Sequence, residues 1–214
     1  ESLFYLYDGP RIVQQVDGDG DLVAAWDYGP YIDEPVAMHR DTNDDGILDA
    51  TWYYLHDDLY NVVGLVDAAT GDVVERYTYD DYGMPTVWVE DDQNPGAWLE
   101  HTAPNGAPAS AVGNPFMFTG RRWDPQLRLY DYRTRYYDPA LGRFLRIDTI
   151  GLYGDANNLG NPYTYVGNNP WSGVDPWGLS GDDLNTDDYP AVNPEALQRY
   201  LRTRGRSKRA PRAL

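Results

Sequence analysis

The nine residues Asp41-Thr42-Asn43-Asp44-Asp45-Gly46-Ile47-Leu48-Asp49 set oxygen-bearing side chains at positions one, three, five and nine of a loop, with glycine at position six. Calcium takes six to eight oxygen ligands, and this is the spacing at which a short loop supplies them around a sharp glycine turn. Asp41, Asn43, Asp45 and Asp49 are the candidate ligands, with the Ile47 carbonyl as a further oxygen and Ca2+ as the expected ion. Position twelve is Trp52 where a helix-loop-helix calcium site needs a bidentate Glu, so the pattern fits a short calcium loop within an extracellular repeat. Asp41, Asp44, Asp45 and Asp49 repel one another, and a divalent cation would offset that. A solvated Asp/Asn/Gly hairpin turn is the alternative. The cluster Asp17, Asp19 and Asp21 has the spacing of an ordinary Asp-Gly turn. Other chemistry is poorly served. His39, His56 and His101 are scattered, there is no Cys, and no glycine-rich phosphate loop or nucleophile elbow is present.

The elements that must carry such loops are short and repeated. The run from Tyr7-Asp8-Gly9 to Asp27-Tyr28-Gly29 is echoed by Asp67 to Gly83, and a third variant runs from Leu127 to Phe144. Each pairs an apolar or aromatic run with an Asp/Gly turn, the mark of a β-hairpin. Val73, Glu75, Tyr77 and Tyr79 alternate with Val74, Arg76, Thr78 and Asp80, which is strand periodicity. One hairpin cannot bury its own apolar face, so the units must stack. The expected fold is all-β, a coiled strip of antiparallel hairpins closing into a shell-like or barrel-like end. Fourteen per cent of residues are aromatic, enough to line one face with rings.

Helix is confined in expectation to Pro194–Leu201, with Asn193 as N-cap and Pro194 at the first helical position. Residues 93–111 and 180–188 read as loops or linkers. The chain thus divides into hairpins over 1–113, a distinct segment over 114–179, and a linker, short helix and basic tail over 180–214.

Formal charge is −17 over 214 residues, yet the tail from Arg199 to Leu214 carries seven Lys or Arg and no acid, leaving −24 for the body. Such a body repels nucleic acid and anionic membrane, making nucleic acid an unlikely partner and a secreted or cell-surface location the natural one. No run of about 18 apolar residues is present, so no membrane-spanning helix is expected. The opening lacks a signal-peptide pattern and looks like the middle of a repeat, which suggests a segment of a longer polypeptide. The expected partners are the remainder of that parent polypeptide and further copies of the chain, paired through open strand edges.

The stretch from Asn114 to Leu179 contains NPFMFTGRRWDPQLRLYDYRTRYYDPALGRFLRIDTIG and ends in Asp175-Pro176-Trp177-Gly178-Leu179. It resembles the RHS-repeat-associated core, which closes the end of a shell of tyrosine-aspartate repeats and is often cut by its own carboxylates after a DPxGL motif. The resemblance implies a single-turnover aspartyl protease with Asp148, three residues beyond Gly142-Arg143-Phe144-Leu145, and Asp175 as the catalytic pair. The implied scissile bond joins Leu179 to Ser180. Two carboxylates that share a site do not both ionise cheaply, which gives a base and an acid in one place. Arg143 and Arg146 are the candidate cations for tuning the pair or holding the oxyanion. Where the family has Arg and Pro flanking the first aspartate, this chain has Ile147 and Thr149.

In toxin-bearing members of that family, a variable effector follows the cut. Here only residues 180–214 follow, too few for an enzyme core without disulfides or metal. Two functions emerge. One is a core that caps a β-shell and cleaves itself after Leu179 to free a C-terminal peptide. The other is a non-enzymatic, calcium-stabilised extracellular scaffold that assembles with copies of itself.

Overall fold

In the computed structural model, residues 2–148, 160–179 and 182–183 are described. Nine strands follow one another as β1 (Phe4–Asp8), β2 (Arg11–Val16), β3 (Leu22–Tyr28), β4 (Pro35–Arg40), β5 (Ala50–His56), β6 (Val62–Asp67), β7 (Val73–Tyr79), β8 (Pro85–Glu90) and β9 (Trp98–His101). They pair antiparallel in sequence order, so every connection is a hairpin. The all-β, antiparallel expectation therefore holds. Among the described residues this sheet stays open, with β1 and β9 as its edges, and does not close into a barrel. The expected helix over 194–201 lies outside the described residues.

The hairpins repeat because of how their aspartates are used. Asp17, Asp57 and Asp80 each accept two backbone N–H groups through one carboxylate oxygen, from residues two and four positions on. An Asx turn of this kind satisfies amides that the ladder leaves unpaired and reverses the chain at a fixed point. The recurring hairpin thus has a local cause, since the aspartate that follows β2, β5 and β7 folds the next turn.

A second sheet of β10 (Arg122–Asp124), β11 (Leu129–Asp131), β12 (Tyr136–Asp138) and β13 (Arg143–Phe144) packs against the inner face of the first. One core joins residues on both sides of position 113, from Trp26, Val62 and Tyr77 to Phe118, Tyr130 and Tyr165. Its rings meet edge-on or tilted, with Trp26 and Phe116 centroids 5.5 Å apart and Tyr137 and Tyr165 4.6 Å apart. Such pairs add about 0.5–1.5 kcal/mol each beyond area burial. Three hydroxyls of these rings reach backbone carbonyls: Tyr130 donates to Gly83, Tyr137 to Tyr82 and Tyr79 to Val62. Burial raises these three tyrosines above their ordinary value, so they stay neutral donors.

Two contacts fix the inner segment to the strip. Buried Glu75 accepts the Ser110 hydroxyl, the Ala111 and Val112 amides and the Tyr77 hydroxyl, which ties the connection after β9 to β7. Gly120 lies at φ +67° with the Asp33 carbonyl so close that an added Cβ would overlap it. Only glycine allows that approach.

His56 supplies a pH dependence. Its ring stacks on Tyr54, and its Nε2 finds no hydrogen-bond partner among the described residues. Burial lowers it to about 4, with Asp57 opposing. Because the folded value lies below the unfolded one, its contribution is complete above about pH 6.5 and is lost as pH falls towards 4. The expected loss is about 3 kcal/mol across that window. Chemical denaturation at pH 7 and pH 4 checks this, and His56→Gln should remove that part of the acid destabilisation.

Candidate functional site

The turn between β11 and β12 builds the site. Asp131 accepts the Arg133 amide at 2.8 Å, and Arg133 takes a positive φ of 65°, so the chain reverses sharply and presents Arg133, Thr134 and Arg135 together. These three consecutive side chains read the carbonyls of the Asp175–Leu179 turn. Arg133 donates to the Pro176 carbonyl. Thr134 donates to the Trp177 and Gly178 carbonyls at 2.8 and 2.6 Å. Arg135 Nε donates to the Gly178 carbonyl at 2.6 Å. Gly178 sits at φ +65°, and a Cβ there would lie 2.5 Å from the Tyr132 carbonyl. Glycine is required for this turn to approach so closely.

Asp148 and Asp175 come together here, 27 positions apart in sequence. Arg135 Nη2 lies 3.0 Å from Asp148 Oδ2 and 3.2 Å from Asp175 Oδ2, and all three side chains are about 2% exposed. The guanidinium stacks on Phe144, its carbon 3.6 Å from the ring centroid, and its Nη1 donates to the Pro162 carbonyl. Asp175 Oδ1 accepts the Leu179 amide at 2.9 Å, which sets that carboxylate against the residue whose carbonyl belongs to the implied scissile bond. Ser180, the other half of the bond, lies outside the described residues. Beyond it, β15 (Asp182–Asp183) pairs antiparallel with β14 (Gly173–Val174), so both sides of the turn are held in one ladder.

Arg143 and Arg146 are both exposed, and Arg135 lies on both aspartates. In β13, Phe144 turns inward, and the strand alternation sends Arg143 outward. Arg135, which sequence reasoning passed over, occupies the position instead. Its signal was the Arg-Thr-Arg run between Tyr132 and the Tyr136-Tyr137 pair, cations bracketed by the buried rings of Tyr132 and Tyr137.

The Asp41–Asp49 loop is held by its own hydrogen bonds. Asp41 accepts the Asn43 and Gly46 amides, Asn43 accepts Asp45, Asp45 accepts Ile47, and Asp49 accepts the Thr42 amide and hydroxyl. Burial acts to raise Asp41, but the amides of Asn43, Gly46, Asp45 and Asp44 outweigh it and hold the carboxyl below the usual range. The donor chemistry suits calcium. Among the described residues no three His, Cys, Asp or Glu side chains form a group that could hold a metal ion.

No protein-family model matches the chain. It is 28% identical over 177 residues to the tRNA(Glu)-specific nuclease WapA of Bacillus subtilis subsp. natto, covering 81% of this chain and 6% of that protein. It is 29% identical over 204 residues to the double-stranded DNA deaminase toxin A of Burkholderia cenocepacia, covering 92% of this chain and 13% of the relative. Among solved structures, the crystal structure of TcdB2-TccC3-TEV matches with a TM-score of 0.50 and 21% identity over 78% of this chain and 7% of that one, a likeness of fold. The chain is thus similar to segments of a nuclease and of a deaminase toxin. The chain spans a small fraction of each.

One expectation is overturned by these matches. The acidic body made nucleic acid an unlikely partner, yet the relatives matched over most of the chain are, by name, a tRNA nuclease and a DNA deaminase toxin. Net charge describes this segment, whereas those activities belong to whole polypeptides many times its length. No helix among the described residues is long and apolar enough to cross a membrane.

Proposed function

We propose that this chain is the self-cleaving core of a toxin-related polypeptide, which closes the end of a β-shell and hydrolyses its own bond between Leu179 and Ser180. The observation that carries the reading is the meeting of Asp148, Asp175 and Arg135 against a turn whose carbonyls are held by three consecutive side chains. One proton shared between the two carboxylates gives an acid and a base at the same site. One carboxylate then takes a proton from water as its oxygen adds to the Leu179 carbonyl carbon. The other gives its proton to the Ser180 nitrogen as the C–N bond breaks. Arg135 and Thr134 fix the preceding carbonyl, so the turn loses little freedom on reaching the transition state.

Kinship with toxins favours this reading over a free-standing adhesive scaffold, and a secreted or cell-surface location follows from it. The effector activities of the relatives belong to those proteins. Here the reading concerns processing alone. Intact mass of the whole chain under denaturing conditions tests it: two fragments divided after Leu179 support it, and one uncut chain moves the assignment to the scaffold.

A calcium ion on the Asp41–Asp49 loop is a separate proposal that rests on charge and spacing. Millimolar CaCl2 is expected to raise the melting temperature by a few degrees, since about 1 kcal/mol corresponds to roughly 2–4 °C at this size. EDTA should reverse the rise. Unchanged melting in both leaves the loop as a hydrogen-bonded turn.

A further inference from the structure

A cavity of about 350 Å³ opens between the β1–β2 turn and the β10–β11 hairpin, away from the Asp148–Asp175 pair. In a chain of net charge −17 its lining is positive: Arg11, Arg121, Arg122 and Arg133 face Asp33 and Asp131. Asp33 is committed, with Arg121 at 2.7 Å and Arg133 at 2.6 Å on the same oxygen. Asp131 is committed to Arg122 at 3.0 Å. Asp8, at the end of β1, is a further acid acting on Arg11, and counting it leaves the surroundings still positive.

Two donors in this lining lack the partner their chemistry calls for. Arg122 Nε is buried and finds no acceptor among the described residues. Arg11 makes no ion pair there and rests on the carbonyls of Gly29, Pro30, Tyr31 and Ile32. Its guanidinium also lies over the Tyr28 ring, 5.2 Å from the centroid, so its contacts are carbonyls and an aromatic face, which offset its desolvation less than a counter-charge would. Tyr28 and Phe116 form an apolar wall beside the charges, which strengthens any ion pair made within.

We infer that this cavity is a binding site for an oxyanion, a phosphate or carboxylate group seated between Arg11 and Arg122. Arginine forks match the planar or tetrahedral spacing of such oxygens, and an anion supplies the counter-charge that the four guanidinium groups of the lining lack. Arg133, which borders the cavity, also holds the Pro176 carbonyl, so the site lies one guanidinium away from the cleavage turn. The inference stands independently of self-cleavage.

Inorganic phosphate titrated into the whole chain at constant ionic strength, followed by phosphorus NMR line width, tests it. Saturable one-to-one binding is expected. Affinity should fall about tenfold or more in Arg122→Gln and in Arg11→Gln, and be unchanged in Arg76→Gln, whose guanidinium lies over Trp98. Near-ultraviolet circular dichroism of each variant separates lost binding from lost folding. Displacement of phosphate by malonate assigns the site to carboxylates, such as an acidic side chain of the parent polypeptide. Resistance to malonate assigns it to phosphate. Absence of saturable binding, or equal binding in folded Arg122→Gln and Arg11→Gln, overturns the inference.

Discussion

Asp175→Asn should leave the chain uncut, as a single species by intact mass, while the parent sequence yields a fragment ending at Leu179. The substitution is nearly isosteric. The side-chain carbonyl of the introduced asparagine can still accept the Leu179 amide, and Arg135 keeps its ion pair with Asp148. The fold should survive with a loss of about 1–3 kcal/mol, the range for weakening a buried charge-assisted hydrogen bond. Cleavage should fall by far more, because one carboxylate with no protonated partner supplies a base without an acid. Asp148→Asn should behave alike, since the two residues act as one unit and either loss removes the pair. Cleavage that persists in both folded variants would assign the chemistry elsewhere and reduce the pair to a structural ion cluster.

The strip was legible in the sequence because its causes are local. Strand alternation at Val73–Tyr79 and the aspartates at positions 17, 57 and 80 act over two to four residues, within the reach of periodicity and turn chemistry. The inner sheet was less legible. Strands of two or three residues, such as Tyr136–Asp138 and Arg143–Phe144, carry too little alternation to be read without the surface they pack on. The two aspartates were found through resemblance, and their meeting through structure. Their cation was missed because proximity along the chain pointed to Arg143 and Arg146. The turn after β11 brings in Arg135 instead, thirteen residues before Asp148. The buried Asp33 between Arg121 and Arg133 was equally silent, since its partners lie 88 and 100 positions away. Long-range electrostatics leave no periodic trace, which is why the charge count of the whole chain misjudged both this arginine-rich cavity and the company its relatives keep.

Arg135→Met should be among the most destabilising single changes in this protein. Methionine keeps most of the aliphatic volume and a contact with Phe144, so packing loss is small. The electrostatic loss is not. Asp148 and Asp175, each about 2% exposed at the side chain, would face one another without the cation between them. Removing one partner from a buried ion cluster costs about 3–5 kcal/mol, because the remaining charge is left uncompensated. The Gly178 carbonyl would also lose its Arg135 donor, leaving Thr134 as its contact. Denaturant midpoints should therefore fall steeply at pH 7. The pairing with Asp148→Asn separates this cause from general disruption. If repulsion dominates, the double variant should be more stable than Arg135→Met alone, by about 1–3 kcal/mol of coupling. A double variant no more stable than the single one would mean that Arg135 matters mainly as the clamp on the Gly178 and Pro162 carbonyls. Cleavage should be absent in both variants, since without the guanidinium neither the carboxylate pair nor the turn is held in the geometry that sets a water against the Leu179 carbonyl.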